Sequence, residues 1–184
     1  GLTGLGYAAG LPAAAGDEAP TPKRGGVLTI GQDENPIGLD PHKTAAFSTT
    51  NIVEHIFSCL LRWDATVSRV EPDLATAWEN PDPLTFVFHL REGVKFHNGD
   101  VLTSEDVKFT FQRMVDPATR SPWLSIFSVI SAIETPDPKT VVFRLAHPFS
   151  PFLNYLASVR YTAIVSREDV KQRGDLIKGG AGTG

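Results

Sequence analysis

Leu84, Phe86, Phe88 and Leu90 alternate with Thr85, Val87 and His89, the period-two pattern of a strand with one buried face. Val141, Phe143 and Leu145 alternate in the same way across Thr140 to Leu145. A shorter run, Val27 to Gln32, has Leu28 and Ile30 on one face and little polarity on the other, which predicts a largely buried strand. From Thr50 the period changes. Ile52, Val53, Ile56, Phe57, Leu60 and Leu61 form an amphipathic helical stripe, with Thr49 or Thr50 as cap and Glu54 in the first turn. Cys59 falls beside that stripe and reads as a buried, inert thiol. Arg91-Glu92-Gly93 and Asn98-Gly99 are turns around a short strand at Val94 to Phe96. Thr103-Ser104-Glu105-Asp106 starts a helix that Asp116-Pro117 ends. Thr135 to Pro138 is read as a turn, Ser150-Pro151 as the start of a short helix, and Ser166 as the start of a last one reaching Gly174. The order is strand, helix, strands, helix, strand, helix, helix: an α+β mixture without repeats.

Composition narrows the function. With 184 residues, 41% hydrophobic and 21% charged, the chain has the make-up of a globular domain. Its 17 basic and 21 acidic residues leave a net charge of −4, which argues against nucleic acid and against an anionic membrane surface. The single cysteine forms no internal disulfide, and 16 Gly and 14 Pro, spread along the chain, imply short elements with many turns. HExxH, CxxC, Walker and GxSxG spacings are absent, and His42, His55, His89, His97 and His147 are scattered. Glu105 and Asp106 are better explained as a helix start than as an acid/base pair. These observations give no expectation of an enzyme, a cofactor or a metal.

The segment GLTGLGYAAGLPAAAG reads as the back half of a secretory signal, with Ala13 and Ala15 at the small-residue positions before cleavage. A flexible Ala/Gly leader and a divided transmembrane helix are the alternatives. The glycine-rich Ile177 to Gly184 reads as an interrupted loop. The expected organisation is a partial signal peptide (1–15), a linker (16–26), a first strand and loop (27–46), an α/β subdomain (47–165) and the interrupted start of a return to the first part (166–184).

Three blocks carry a family resemblance. They are GGVLTIGQDENPIGLDPHKT; PDLATAWENPDPLTFVFHLREGVKFHNGDVLTSEDVKFTFQRM from Pro72 to Met114; and the stretch from Ile133-Glu134 through Pro151-Phe152-Leu153 to Gly182-Thr183-Gly184. Together they resemble the extracytoplasmic solute-binding proteins of family 5, the peptide, dipeptide and nickel-binding subunits of ABC importers. The resemblance implies the N-terminal part of a two-lobed, type II periplasmic-binding-protein fold. The extra subdomain of the family would be present and the second lobe missing. The Asn80-Pro81-Asp82-Pro83-Leu84 turn departs from the family pattern, and Trp78 is assigned to packing.

The same resemblance implies an exported, extracytoplasmic receptor, monomeric when full length. It would capture an oligopeptide between its lobes and deliver it to ABC permease membrane subunits. A dipeptide, nickel-chelate or other small-solute receptor is the alternative, and a stand-alone chaperone-like peptide-binding domain is the reading from a different class. Candidate ligand contacts are the loop residues Asn35, Pro36 and Ile37, the following Thr44 and Thr49, Trp123 as an aromatic wall and Arg160 for a ligand carboxylate. A plain connecting loop, a core tryptophan and a surface arginine remain the competing readings of these residues.

Overall fold

A computed structural model describes residues 25–174 and residue 184. The segment expected to be a signal, most of the linker, and residues 175–183 lie outside the described residues. The chain divides into two compact units, Gly1–Gly31 and Gln32–Gly184. In the first unit the expected buried strand does not form. Residues 25–31 are irregular, and Val27, Leu28 and Ile30 are 95%, 83% and 67% exposed. A lone extended segment has no ladder partner for its amides, so apolar alternation alone does not make it a strand.

The second unit opens with an irregular loop and helix α1 (Phe47–Val53). Next come a two-stranded antiparallel ribbon, β1 (Leu61–Trp63) with β2 (Val70–Pro72), and the strands β3 (Ala75–Asp82) and β4 (Thr85–Leu90). Helix α2 (Ser104–Val115) leads through a 3-10 turn at Pro117–Thr119 to α3 (Leu124–Phe127), β5 (Ile130–Asp137) and β6 (Thr140–Leu145). The short helices α4 (Phe152–Leu156), α5 (Val159–Thr162) and α6 (Arg167–Arg173) follow. Strands β3, β4, β6 and β5, in that order, form one antiparallel sheet.

The face of this sheet set by alternation makes the core. Phe88, Phe111, Phe127, Phe143 and Phe152 are wholly buried. Ring centroids lie 5.7 Å apart for Phe88 and Phe143, 4.9 Å for Phe111 and Phe143, and 5.6 Å for Phe143 and Phe152, all edge-on as ring quadrupoles prefer. Trp78 packs against this cluster. Helix α2 starts as expected. The Asp106 carboxylate accepts from the Thr103 amide at 3.0 Å and the Thr103 hydroxyl at 2.8 Å. Its other oxygen accepts from the Arg167 amide at 3.0 Å, which ties the start of α2 to the start of α6.

Three expectations are corrected: the helix from Thr50, the turn at Thr135, and the short strand at Val94 to Phe96, where only an isolated bridge between Lys95 and Val101 forms. Helix α1 begins at Phe47 and stops at Val53, so Thr49 and Thr50 lie inside it, Cys59 lies beyond it and Leu61 belongs to β1. The stripe that looked like one helix is shared between a helix, a turn and a strand. Thr135 to Asp137 continues β5 rather than forming a turn, and β3 and β5, both edge strands, carry mostly exposed side chains and no clean alternation.

The chain does contain a repeat. Glu79 to Leu90 (ENPDPLTFVFHL) and Glu134 to Leu145 (ETPDPKTVVFRL) share eight of twelve residues. The two hairpins match in detail. Each edge strand has two register shifts at equivalent places, Ala75/Ala77 with Glu79/Asp82 and Ile130/Ala132 with Glu134/Asp137. The Leu84 and Lys139 amides donate to Asp82 and Asp137 at 2.8 and 2.7 Å, holding both carboxyls below the usual aspartate range. Thr76 donates to the His89 carbonyl at 3.2 Å, and Ser131 to that of Arg144 at 2.9 Å. A local two-fold axis therefore passes between the paired Val87 and Val142 at the centre of the β4–β6 ladder.

Candidate ligand-binding site

Helix α5 brings two of the expected contacts together. Its Arg160 guanidinium lies 4.2 Å from the Phe47 ring centroid and 5.5 Å from that of Trp123, within cation–π range of both. Arg160 Nη2 donates to the Ala45 carbonyl at 2.9 Å, across 115 residues of chain. Trp123 precedes α3, its amide donating to the Ser121 hydroxyl at 3.2 Å. Its ring stands edge-on to Tyr161 at 4.8 Å, and Tyr161 stands edge-on to Tyr155 at 4.9 Å, making an aromatic wall beside Arg160.

Ser48 Oγ, Trp123 Nε1 and Arg160 Nη1 are the buried side-chain nitrogen and oxygen atoms without a hydrogen-bond partner among the described residues. All three belong to residues in or next to the Phe47, Trp123 and Arg160 contact. Each such orphan costs about 1–3 kcal/mol in a folded protein. Of these, Trp123 Nε1 and Arg160 Nη1 belong to the paired Trp123 and Arg160 side chains, and two donor groups without an acceptor, one of them on a cation, suit an acceptor-rich group such as a carboxylate.

The other expected residues are placed differently. Thr49 is buried and its hydroxyl accepts from the Ile37 amide at 3.1 Å, pinning the preceding loop to α1. Ile37 is 62% exposed, Asn35 is exposed and Pro36 is half-buried, all upstream of that pin. Thr44 is half-buried and turns its hydroxyl to the Ala46 amide at 3.1 Å. Sequence reasoning did not single out Phe47 and Ser48, which lie inside the Thr44 to Thr49 stretch that the resemblance turns towards ligand and ahead of the helix it expected. An aromatic left 72% exposed at a helix start carries no periodic signal that would single it out.

A buried polar cluster ties the loop before α1 to α2 and to the end of α5. Arg113, from α2, meets both carboxylate oxygens of Asp40, through Nη2 and, at 2.9 Å, through Nη1. The same Nη1 donates to His42 Nδ1 at 2.8 Å. Since Nδ1 accepts, the proton of the neutral ring sits on Nε2, which lies 2.8 Å from the Ala163 carbonyl and donates to it. Burial, with the Arg113 charge second, lowers the His42 pKa to about 4. Burial likewise pushes the Cys59 thiol up to about 12 and keeps it protonated and inert. Among the described residues no group of three His, Cys, Asp or Glu side chains could hold a metal ion.

This architecture, a hairpin-built sheet carrying an arginine and aromatic wall, is that of part of a periplasmic binding protein. A solved structure of the binding protein AgaA from A. tumefaciens R10, in complex with agropinic acid, superposes with a TM-score of 0.72 at 33% identity, covering 78% of this chain and 29% of that one. The family model for bacterial extracellular solute-binding proteins, family 5 (middle), matches residues 69–184, and the chain belongs to that family. The periplasmic oligopeptide-binding protein OppA of Haemophilus influenzae is 35% identical over 60% of this chain and 20% of its own length. Di/tripeptide-binding protein 2 of Pseudomonas aeruginosa is 33% identical over 84% of this chain and 32% of its own. The chain thus spans between a fifth and a third of these relatives. The family is made up of substrate-binding proteins, and the Haemophilus influenzae relative is named as a periplasmic one.

Proposed function

We propose that this chain is part of the substrate-binding receptor of an ABC importer, exported by a signal peptide and monomeric when full length. The receptor encloses an oligopeptide or related solute between two lobes and delivers it to the membrane permease. Membership of a solute-binding family and the peptide-binding names of its relatives support this reading. No helix among the described residues is long and apolar enough to cross a membrane.

The ligand wall is Arg160 and Trp123, with Asn35, Pro36, Ile37 and Thr44 on the loop beside α1, whose Thr49 anchors that loop. The observation that carries this assignment is the Arg160 guanidinium held over Phe47 and within reach of the Trp123 ring, with Arg160 Nη1 and Trp123 Nε1 both unpartnered. Arg160 supplies a charge-assisted bond to a ligand carboxylate and Trp123 a flat apolar surface. The test uses the full-length receptor with trialanine and its C-terminal amide as calorimetric probes. Arg160→Ala should weaken the free acid by about 1.5–3 kcal/mol, roughly tenfold to a hundredfold, and leave the amide unaffected. Trp123→Ala should weaken both. Equal affinities for the free acid in wild type and Arg160→Ala, at unchanged melting temperature, would remove Arg160 from the site.

A further inference from the structure

The Asp40, His42 and Arg113 cluster is buried, fully bonded, and unused by the ligand chemistry above. It joins three segments distant in sequence. Asp40 and His42 lie on the loop before α1, Arg113 lies in the last turn of α2, and Ala163 caps the C-terminal end of α5. Arg160 sits on that same short helix, three residues before Ala163, and reaches back to Ala45, three residues after His42. Loop and helix are therefore clamped at two points, one through the imidazole and one through the guanidinium.

A four-residue helix does not hold its own orientation, because its few internal hydrogen bonds do not offset the entropy of ordering it. Its direction is set by what its ends are tied to. The C-terminal end of α5 is held by the Thr162 hydroxyl on the Tyr155 carbonyl at 3.1 Å, by the Ile164 amide on the Ser58 carbonyl at 2.9 Å and by the Val165 amide on the Thr110 hydroxyl at 3.2 Å. The tie that joins it to the loop before α1 is the His42 Nε2 bond to Ala163, and the tautomer that makes this bond is enforced by Arg113, itself fixed by Asp40.

We propose that Asp40, His42 and Arg113 act as positioning residues for Arg160, setting its guanidinium over Phe47 and beside Trp123 before ligand arrives. The inference rests on the reading of Arg160 as a ligand contact, and the route runs through the Ala163 carbonyl.

The test reads Arg160 directly, without ligand, in the full-length receptor isotope-labelled at its arginine nitrogens. Lying against two aromatic rings, the Arg160 Nε–Hε resonance is displaced by their ring currents, and Arg160→Lys identifies it by its loss. His42→Asn keeps an acceptor at the Nδ1 position, towards Arg113, but withdraws the donor to Ala163. His42→Gln keeps a donor at the Nε2 position and gives up the acceptor. The expected result is loss of the ring-current displacement in His42→Asn and its retention in His42→Gln, with the amide spectrum of the sheet core intact in both. An unmoved Arg160 resonance in folded His42→Asn overturns the proposal, since a merely stabilising histidine would lower the melting temperature in both variants and move Arg160 in neither.

Should the asparagine variant not fold, wild type taken from neutral pH down to about 4 supplies the reading. The groups facing the His42 ring are Asp40 from its own loop, Arg113 from α2 and the Ala163 carbonyl. The Arg160 resonance should move with the His42 ring signals, and titration of the ring with Arg160 unmoved is a refutation. Whether Arg160 touches ligand is decided by the calorimetry of Arg160→Ala, so the two ideas fail separately.

Discussion

Burial keeps His42 neutral at pH values where the unfolded chain already takes a proton on this residue. Its pKa falls from 6.5 in the unfolded reference to about 4 in the fold, so between those values the unfolded state binds the extra proton. The contribution to stability is complete above pH 6.5 and is lost as pH falls towards 4, amounting to about 3 kcal/mol. Carboxylates titrate in the same range, and the check is therefore differential. Melting temperature plotted against pH should fall more steeply below about 6.5 for wild type than for His42→Gln, which has nothing to protonate there. Parallel curves would show that the ring is not held neutral. At this scale the sequence told part of the story. Arg160 and Trp123 were singled out through a family resemblance, and the structure puts the two side chains side by side. The Asp40–Arg113 pair was not legible, because its partners are 73 residues apart and neither sits in a periodic pattern that points to the other.

Among the elements, those that bury one face were legible and those at an edge were not. β4, β6 and α2 were found from spacing because a half-buried surface imposes its period on the sequence. β3 and β5 bury little, and bulges shift their register, so Ala-Thr-Ala-Trp and Ile-Ser-Ala-Ile show no clean alternation. Proline at 81 and 136 reads as a breaker, yet both sit inside edge strands, where a missing amide is tolerated. The hairpin correspondence yields a prediction. Leu84 and Lys139 occupy the same turn position, Leu84 is 37% exposed, and Lys139 reaches Glu92. Leu84→Lys should therefore change stability by no more than about 0.5 kcal/mol in chemical denaturation. A loss several times larger would mean that the two turns are not equivalent.

For the molecule as a whole, binding and solubility both depend on more than these residues. A ligand enclosed by two lobes loses half its contacts and much of its desolvation when only part of one is present. The isolated 184-residue chain should accordingly show no calorimetric binding of trialanine at micromolar concentration, and micromolar affinity would refute the two-lobe argument. Val27, Leu28 and Ile30 present an apolar run to solvent, so the same preparation should self-associate as its concentration rises, read by light scattering. The family was legible here from motif order alone, most clearly between Pro72 and Met114. Val27 to Gln32 is irregular here because its spacing describes a surface that asks for a neighbour, and spacing does not supply one.

The two-fold axis between Val87 and Val142 has a further effect during folding. Phe86 faces Phe143 and Phe88 faces Val141 across the ladder, and the repeat makes Phe143 and Val141 the counterparts of Phe88 and Phe86. The strand that β4 meets inside its own chain is thus almost a copy of itself, and the β4 of a second nascent chain offers nearly the same register and the same apolar contacts. Correct closure and exchange between chains compete on similar terms, and local concentration decides between them: 49 residues separate Leu90 from Thr140, keeping the proper partner close at hand, while crowding favours the wrong one.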